Sequence, residues 1–270
     1  MAALTSFLDS YFERIGWNGG TSPTLETLGG LISHHLRSIP FEHLDVLLGR
    51  PIRLDLENLE DKLLQRRRGG YCFEHTSLFF AVLENLGFQP VRHSARVVLF
   101  SPRTESPRAH MFLTVTLPEG TFIADPGFGG GAPAFPVPLA HGSLQLDKGA
   151  THWMVHEGGY WTLRSALDGK TADAWVSTLE HDHPVDFEMA NHFTATHPNS
   201  PFRNRLMMSI FTMSGRVSLM NQNFTIREEG ASSSGTLADR AAFRAFVAKH
   251  FGFDFIEVDR LHLPFIPEWN

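Results

Sequence analysis

The hydrophobic period of this 270-residue chain changes near residue 90, and that change restricts the fold more than any other feature. Before it, apolar residues recur three and four apart, as on one face of a helix. Leu4, Phe7, Leu8, Tyr11, Phe12 and Ile15 form a first stripe, stopped by Gly16 and Gly19-Gly20. Ser22-Pro23 reads as an N-cap with proline at the first helical position, before Leu25, Leu28, Ile32 and Leu36. Pro40 ends that second helix. Asp55 is placed to cap a third, with Leu56, Leu59, Leu63 and Leu64, closed by Arg66-Arg67-Arg68 where cations suit a helix C-terminus. A fourth is predicted over residues 73–86, ending at Gly87.

Beyond residue 90 the runs become short and rich in β-branched and aromatic residues. Strands are predicted at 91–100, 111–117 and 121–125, then at 153–155 and 160–163, then at 206–213, 217–220 and 224–227. Pro118-Glu119-Gly120 and Glu157-Gly158-Gly159 read as hairpin turns, residues 129–138 as a loop and 231–235 as a small polar loop. A last helix is predicted over 237–251. Helices first and strands later argue for an α+β fold with segregated layers rather than alternating βαβ units.

Composition excludes several partners. A net charge of −6 disfavours a nucleic-acid polyanion or an acidic membrane surface as partner. One cysteine cannot close an intrachain disulfide. No basic, then apolar leader opens the chain, and no apolar run reaches the roughly 18 residues of a membrane span. A cytoplasmic protein without a membrane partner is expected, and a homodimer is compatible with it. Fifteen histidines invite a search for metal spacing, but His34-His35 and His181-Asp182-His183 lack third and fourth ligands, so no metal is expected.

The most informative stretch is Arg68-Gly69-Gly70-Tyr71-Cys72-Phe73-Glu74-His75. Two glycines permit a tight backbone just before the cysteine. Cys72 then meets the unpaired N–H groups and positive end of the predicted helix, which favour the nucleophilic thiolate. Those N–H groups could also serve as an oxyanion hole. A buried, inert cysteine fits the same residues.

A cysteine nucleophile needs a base, and the base an orienting acid. His110 heads one predicted strand, and Asp125 ends the next, after apolar Phe122-Ile123-Ala124. An even turn at Glu119-Gly120 puts both on one face, but about four residues apart, roughly 13 Å along the ladder. A bend near Pro126-Gly127 or another register has to close that gap. A surface histidine and a turn aspartate remain the alternatives. A dinucleotide loop at Gly127-x-Gly129-Gly130-Gly131 fails, because Pro133, Pro136 and Pro138 forbid the helix it needs.

The ordered set of motifs resembles the arylamine N-acetyltransferase family. RGGYCFEH, then His110 thirty-eight residues after Cys72, then Asp125 within ADPGFG, is similar to that family's RGG-x-C, strand-opening histidine and D-x-GFG. Ile39-Pro40-Phe41-Glu42-His43-Leu44 and the stretch from Asn191 to Phe202 are similar to two further family segments. The family commonly carries Asn at the positions of His43 and Thr76, and a small or aliphatic residue at that of Pro126.

The resemblance implies a papain-like site on three parts: a helical domain (1–90) with the nucleophile, a β-barrel domain (91–200) with His and Asp, and an α/β lid (201–270). It implies acetyl transfer from acetyl-CoA, as co-substrate, to the nitrogen of an arylamine or arylhydrazine. The route is ping-pong through Cys72, with His110 as base and Asp125 as orienter. Phe41, Phe73 and Phe128 are the candidates for the aromatic substrate, Phe202 and the Gly129-Gly130-Gly131 run for CoA. Arg68, Glu42 and Glu74 read as structural. The rival readings are an amide synthase of polyketide release, a cysteine peptidase or transglutaminase-like hydrolase, and a silent binding protein that keeps the fold.

Overall fold

Helices form where the apolar stripes fall. The computed structural model describes residues 6–142, 144–147, 150–167 and 169–269, so Leu4 of the first stripe lies outside the described residues. Helix α1 (Phe7–Ile15) starts in a capping box in which Ser6 and Asp9 each accept the other's backbone N–H, and stops at Gly16 with φ +65°. Helix α2 (Leu25–Ser38) is capped by Thr24, whose hydroxyl accepts from Thr27 N. Pro23 therefore precedes the cap instead of opening the helix, which corrects the Ser22-Pro23 expectation. A single turn, α3 (Leu44–Leu47), follows. Asp55 caps α4 (Leu56–Leu59), which continues as a π-helical stretch, Glu60–Gln65. Helix α5 (Cys72–Asn85) is the fourth predicted helix, begun one residue earlier. Tyr11, Ile15, Leu28, Ile32, Leu36, Leu63 and Phe79 bury the stripes in one core.

The next region is an antiparallel sheet of eight strands. They are β1 (Pro90–Val97), β2 (Arg108–Leu117), β3 (Gly120–Ala124), β4 (Val137–Pro138), β5 (Leu144–Asp147), β6 (Ala150–Glu157), β7 (Tyr160–Leu167) and β8 (Lys170–Ser177). Their order is β4-β3-β2-β1-β8-β7-β6-β5. Beyond β4, His141 bridges Met154 of β6, so the two ends of the sheet meet and it nearly closes into a barrel. Bulges at Ala95/Arg96 and Leu163/Arg164 add the twist that such curling needs. The predicted loop at 129–138 holds a 3₁₀ turn, Gly129–Gly131, and the short β4. Its glycines lead into no α-helix.

Two helices, α6 (Pro184–Thr196) and α7 (Pro201–Asn204), lead to a second sheet. It orders β12 (Ala231–Thr236), β11 (Asn223–Glu228), β10 (Gly215–Met220) and β9 (Met207–Phe211), with α8 (Arg240–Phe251) packed on it. Residues 231–235 are thus an edge strand, not a loop. Exposed Ser232, Ser233 and Ser234 pair with β11 through backbone alone and carry no apolar signal. The last helix starts at Arg240 behind the Asp239 cap. Helices and strands segregate as the α+β reading requires. Among the described residues no helix is long and apolar enough to cross a membrane.

Candidate active site

Cys72 is the first residue of α5, and its N-cap, Tyr71, makes no side-chain cap bond. The turn before it is pinned by backbone contacts that only glycine permits. A Cβ on Gly69 would stand 1.9 Å from the Pro40 carbonyl oxygen. Gly70 pairs with residues 40–42, donating to Pro40 O at 3.2 Å and accepting from Glu42 N at 2.8 Å. Beneath the turn lies a buried charge cluster. Arg68 pairs with Glu42 at 2.7 Å, while Lys62 pairs with Glu74 at 2.8 Å and Asp45 at 2.7 Å. Glu42 also accepts from Leu44 N, and Glu74 from Tyr71 N. Arg68 lies against the rings of Phe253 and Phe255 as well. Each of these side chains fastens backbone or another charge, in keeping with the structural role read for Arg68, Glu42 and Glu74.

His110 and Asp125 come together, and of the two routes considered it is the register that differs. The β2–β3 hairpin turns at Pro118-Glu119, with Leu117 opposite Gly120 and Leu113 opposite Ala124. That is one residue earlier than a turn at Glu119-Gly120. It places Asp125 only two positions from His110 along the ladder, about 7 Å at ~3.3 Å per residue. Side-chain reach closes the rest, and His110 Nε2 donates to Asp125 Oδ2 at 2.9 Å. Asp125 is 1% exposed and His110 2%, so the bond is sealed from water. Burial alone would lower the His110 pKa. The Asp125 charge and hydrogen bond outweigh it, with help from Cys72, and push it up to about 10. Cys72 is among the nearby groups that favour the charged His110 ring. With Nε2 committed to Asp125, Nδ1 is the ring nitrogen left for the sulfur. Cys72 Sγ itself lies 3.9 Å from Ala109 O.

The loop after Asp125 rests on the nucleophile. A Cβ on Gly127 would stand 2.8 Å from Cys72 O and 2.9 Å from its Cα. Thr76 ties α5 to β2 by donating to Met111 O at 3.0 Å. His43 Nε2 accepts from Met207 N at 3.1 Å, and burial holds its pKa down to about 3. Both residues that stand where asparagine is common are therefore engaged in backbone fastening.

Of the aromatic candidates, Phe128 sets its ring edge against His110, with centroids 5.0 Å apart. Phe41 packs on Gly129, which adopts φ +61°, and stacks 6.3 Å from His75. Phe202 on α7 lies 5.4 Å from Tyr71 and 6.3 Å from Phe41. Phe73 is wholly buried in the same cluster as Cys72, Tyr71 and Met111. Gly130 faces Ser209 and Ser218 of the second sheet, and Arg216 donates to its carbonyl. Phe41, Phe128, Phe202 and the glycine run thus gather around the Cys72–His110 edge. No group of three or more metal-ligating side chains occurs among the described residues.

Sequence reasoning passed over Trp175. Its indole donates to Asp125 Oδ2 at 2.9 Å, and its ring stacks on Phe112 at 4.2 Å. Strand β8 escaped prediction because Thr171, Ala172 and Ala174 dilute its alternation. In the sequence Asn191 stands out only as the first residue of the Asn191–Phe202 motif. It accepts from the Tyr71 hydroxyl and donates to Ile52 O, linking α6 to the nucleophile's cap residue.

Comparison with known proteins shows the family and the fold. A family model described as N-acetyltransferase matches residues 24–260. The arylamine N-acetyltransferase of Escherichia coli K12 is 37% identical over 251 residues, covering 92% of this chain and 89% of that one. That of Mycobacterium tuberculosis H37Rv is 36% identical over 265 residues, covering 93% and 90%. The solved structure of the Mycobacterium marinum enzyme in complex with CoA superposes with a TM-score of 0.88 at 34% identity, covering 93% and 94%.

Proposed function

The chain belongs to the arylamine N-acetyltransferase family, and from that premise we propose that it moves an acetyl group from acetyl-CoA to the nitrogen of an arylamine or arylhydrazine by way of a Cys72 thioester. The observation that carries this reading is the buried His110–Asp125 hydrogen bond at 2.9 Å beside Cys72, whose Sγ lies 3.9 Å from the carbonyl of Ala109, the residue before His110. An imidazole held positive by a buried carboxylate has a proton to give the leaving group. The Cys72 sulfur attacks the thioester carbonyl, the bond to CoA sulfur breaks, and His110 returns a proton to the departing CoA. The amine nitrogen then attacks the acetyl carbonyl, His110 takes the proton it sheds, and Cys72 leaves as thiolate.

Burial supports transfer over hydrolysis. Cys72 is 3% exposed, so bulk water has poor access to an acyl group on its sulfur. The amine would lie against Phe41 and Phe128, whose rings flank the reacting edge, with Phe73 as the packed wall behind. Phe202, Gly129 and Gly130 would meet the acyl donor, in line with the CoA bound by the M. marinum relative. The matching domain layout is a helical part to residue 90, a barrel part to 200 and a lid beyond.

The test is an intact-mass measurement. Incubation with acetyl-CoA is expected to add one acetyl group, mapped to Cys72, which an aromatic amine then discharges as its N-acetyl product. No adduct, or an adduct released only as free acetate, sinks the reading.

A further inference from the structure

Three side chains meet at one carboxylate oxygen. Asp125 Oδ2 accepts from His110 Nε2 and from Trp175 Nε1, each at 2.9 Å, while its Oδ1 is buried and has no hydrogen-bond partner among the described residues. The terminal torsion of an aspartate is broad, so the plane of such a carboxylate is set by its donors. Here there are two, and one of them, His110, must change its own protonation during the reaction.

Trp175 reaches this point from far away in the sheet. It lies on β8, opposite Val97 of β1, while Asp125 follows β3, three strands distant. A flat sheet would separate the two strands by about 14 Å at ~4.8 Å per step. The barrel's curl and the length of the indole close that distance. The ring is 0% exposed and lies on Phe112, the residue two before which, His110, shares its face of β2.

We propose that Trp175 is a positioning residue: its indole N–H fixes the Asp125 carboxylate in the orientation from which Oδ2 meets His110, through the whole proton cycle. The proposal rests on the Cys72–His110–Asp125 reading. Without the indole donor, His110 is, among the described residues, the one donor left on the carboxylate, and each departure of its Nδ1 proton discharges the ring and weakens the Nε2–H bond that holds the torsion. A bare carboxylate is a stronger acceptor if it stays in place, but with Oδ1 unpartnered nothing keeps it there. The titratable groups around it are His110 on β2, Cys72 on α5 and His152 on β6, whose ring feels the Asp125 charge.

The test compares Trp175→Phe with Phe112→Leu, which loosens the stack but retains the N–H. The rate of Cys72 alkylation by iodoacetamide is followed against pH, alongside acetyl transfer. Trp175→Phe is expected to bring the alkaline edge of the alkylation profile down by roughly 0.5–1 pH unit, the loss of a hydrogen bond of ordinary strength. The same variant should lower kcat about tenfold, with the amine KM within about twofold, an interaction lost mainly in the transition state. Phe112→Leu should lower the melting temperature and keep the edge. Site-specific benzothienylalanine at position 175, which replaces N–H by sulfur at constant shape, gives the same reading if the phenylalanine variant does not fold.

A folded variant without the N–H that keeps the wild-type edge and kcat overturns the proposal, and so does an equal shift in Phe112→Leu. Alkylation needs neither acyl donor nor amine, so a wrong substrate leaves this result standing. If His110→Ala itself keeps the wild-type alkylation profile, the reading beneath the proposal fails first.

Discussion

The helical region and the barrel hold their shares of the site by opposite means. Under the nucleophile lies a packed set of charges: Glu42 and Glu74, fully or almost fully buried, against Arg68 and Lys62. Under the base lie rings, Trp175 on Phe112, with the Asp125 carboxylate hydrogen-bonded to the indole. The histidines divide in the same way. Burial lowers the pKa of His35, of His43 to about 3 and of His75 to about 4, so they stay neutral. His110 is pushed up to about 10 because burial, which opposes its charge, is outweighed by Asp125. Charge networks fix backbone, whereas a single charged pair in an aromatic setting stores proton affinity for use. His93 and His152 are exceptions inside the barrel: burial lowers both, His152 to about 4 while it contacts Gly131 O.

The largest expected effect breaks the barrel side. His110→Ala should reduce acetyl transfer by roughly 10³-fold or more with the fold intact, measured as kcat/KM against circular dichroism. The helical side breaks through stability instead. Arg68→Met leaves Glu42 buried without its partner, and should cost about 3–5 kcal/mol in denaturant unfolding. Wild-type stability in this variant would mean the cluster is not what holds the turn. Between the two regions, Gly127→Ala forces a methyl group against Cys72 backbone. A loss of about 1–3 kcal/mol and a clear fall in alkylation rate are expected, since neither backbone can yield freely.

The histidines sharpen the contrast by pH. Where the folded pKa is lowered, the unfolded chain binds the proton first, so stability is lost as pH falls below about 6.5 toward the folded values near 3–4. Each such group contributes up to about 1.4 kcal/mol per pH unit in that window. His110 works in reverse. Its contribution is complete below its unfolded pKa and lost as pH rises through about 10. Melting temperatures across pH 4–10 should therefore fall at both ends, and His75→Gln should flatten only the acid side. The smallest effect is local: Thr24→Ala removes the cap of α2 and should cost about 1 kcal/mol, without changing turnover.

How far the sequence carried depended on which force wrote each element. Tyr11, Ile15, Leu28, Ile32 and Leu36 were legible because helical period and burial coincide. Helix α6 was not, since its buried face is Phe187, Asn191 and Thr194, two of them polar. Strand β12 was hidden by its serines. In the site, residue types pointed to Cys72, His110 and Asp125, but their approach turned on a one-residue difference in a hairpin turn, which composition does not reveal. Trp175 could not be found at all, because its partner is brought to it by sheet closure across three strands.

The central claim is that Cys72 takes the acyl group before any amine arrives. Rapid mixing with acetyl-CoA in the absence of amine, with free CoA followed by a thiol reagent, tests it most directly. The account predicts a burst of one CoA per chain, lost in Cys72→Ser. Release of CoA only after an amine is added would contradict it.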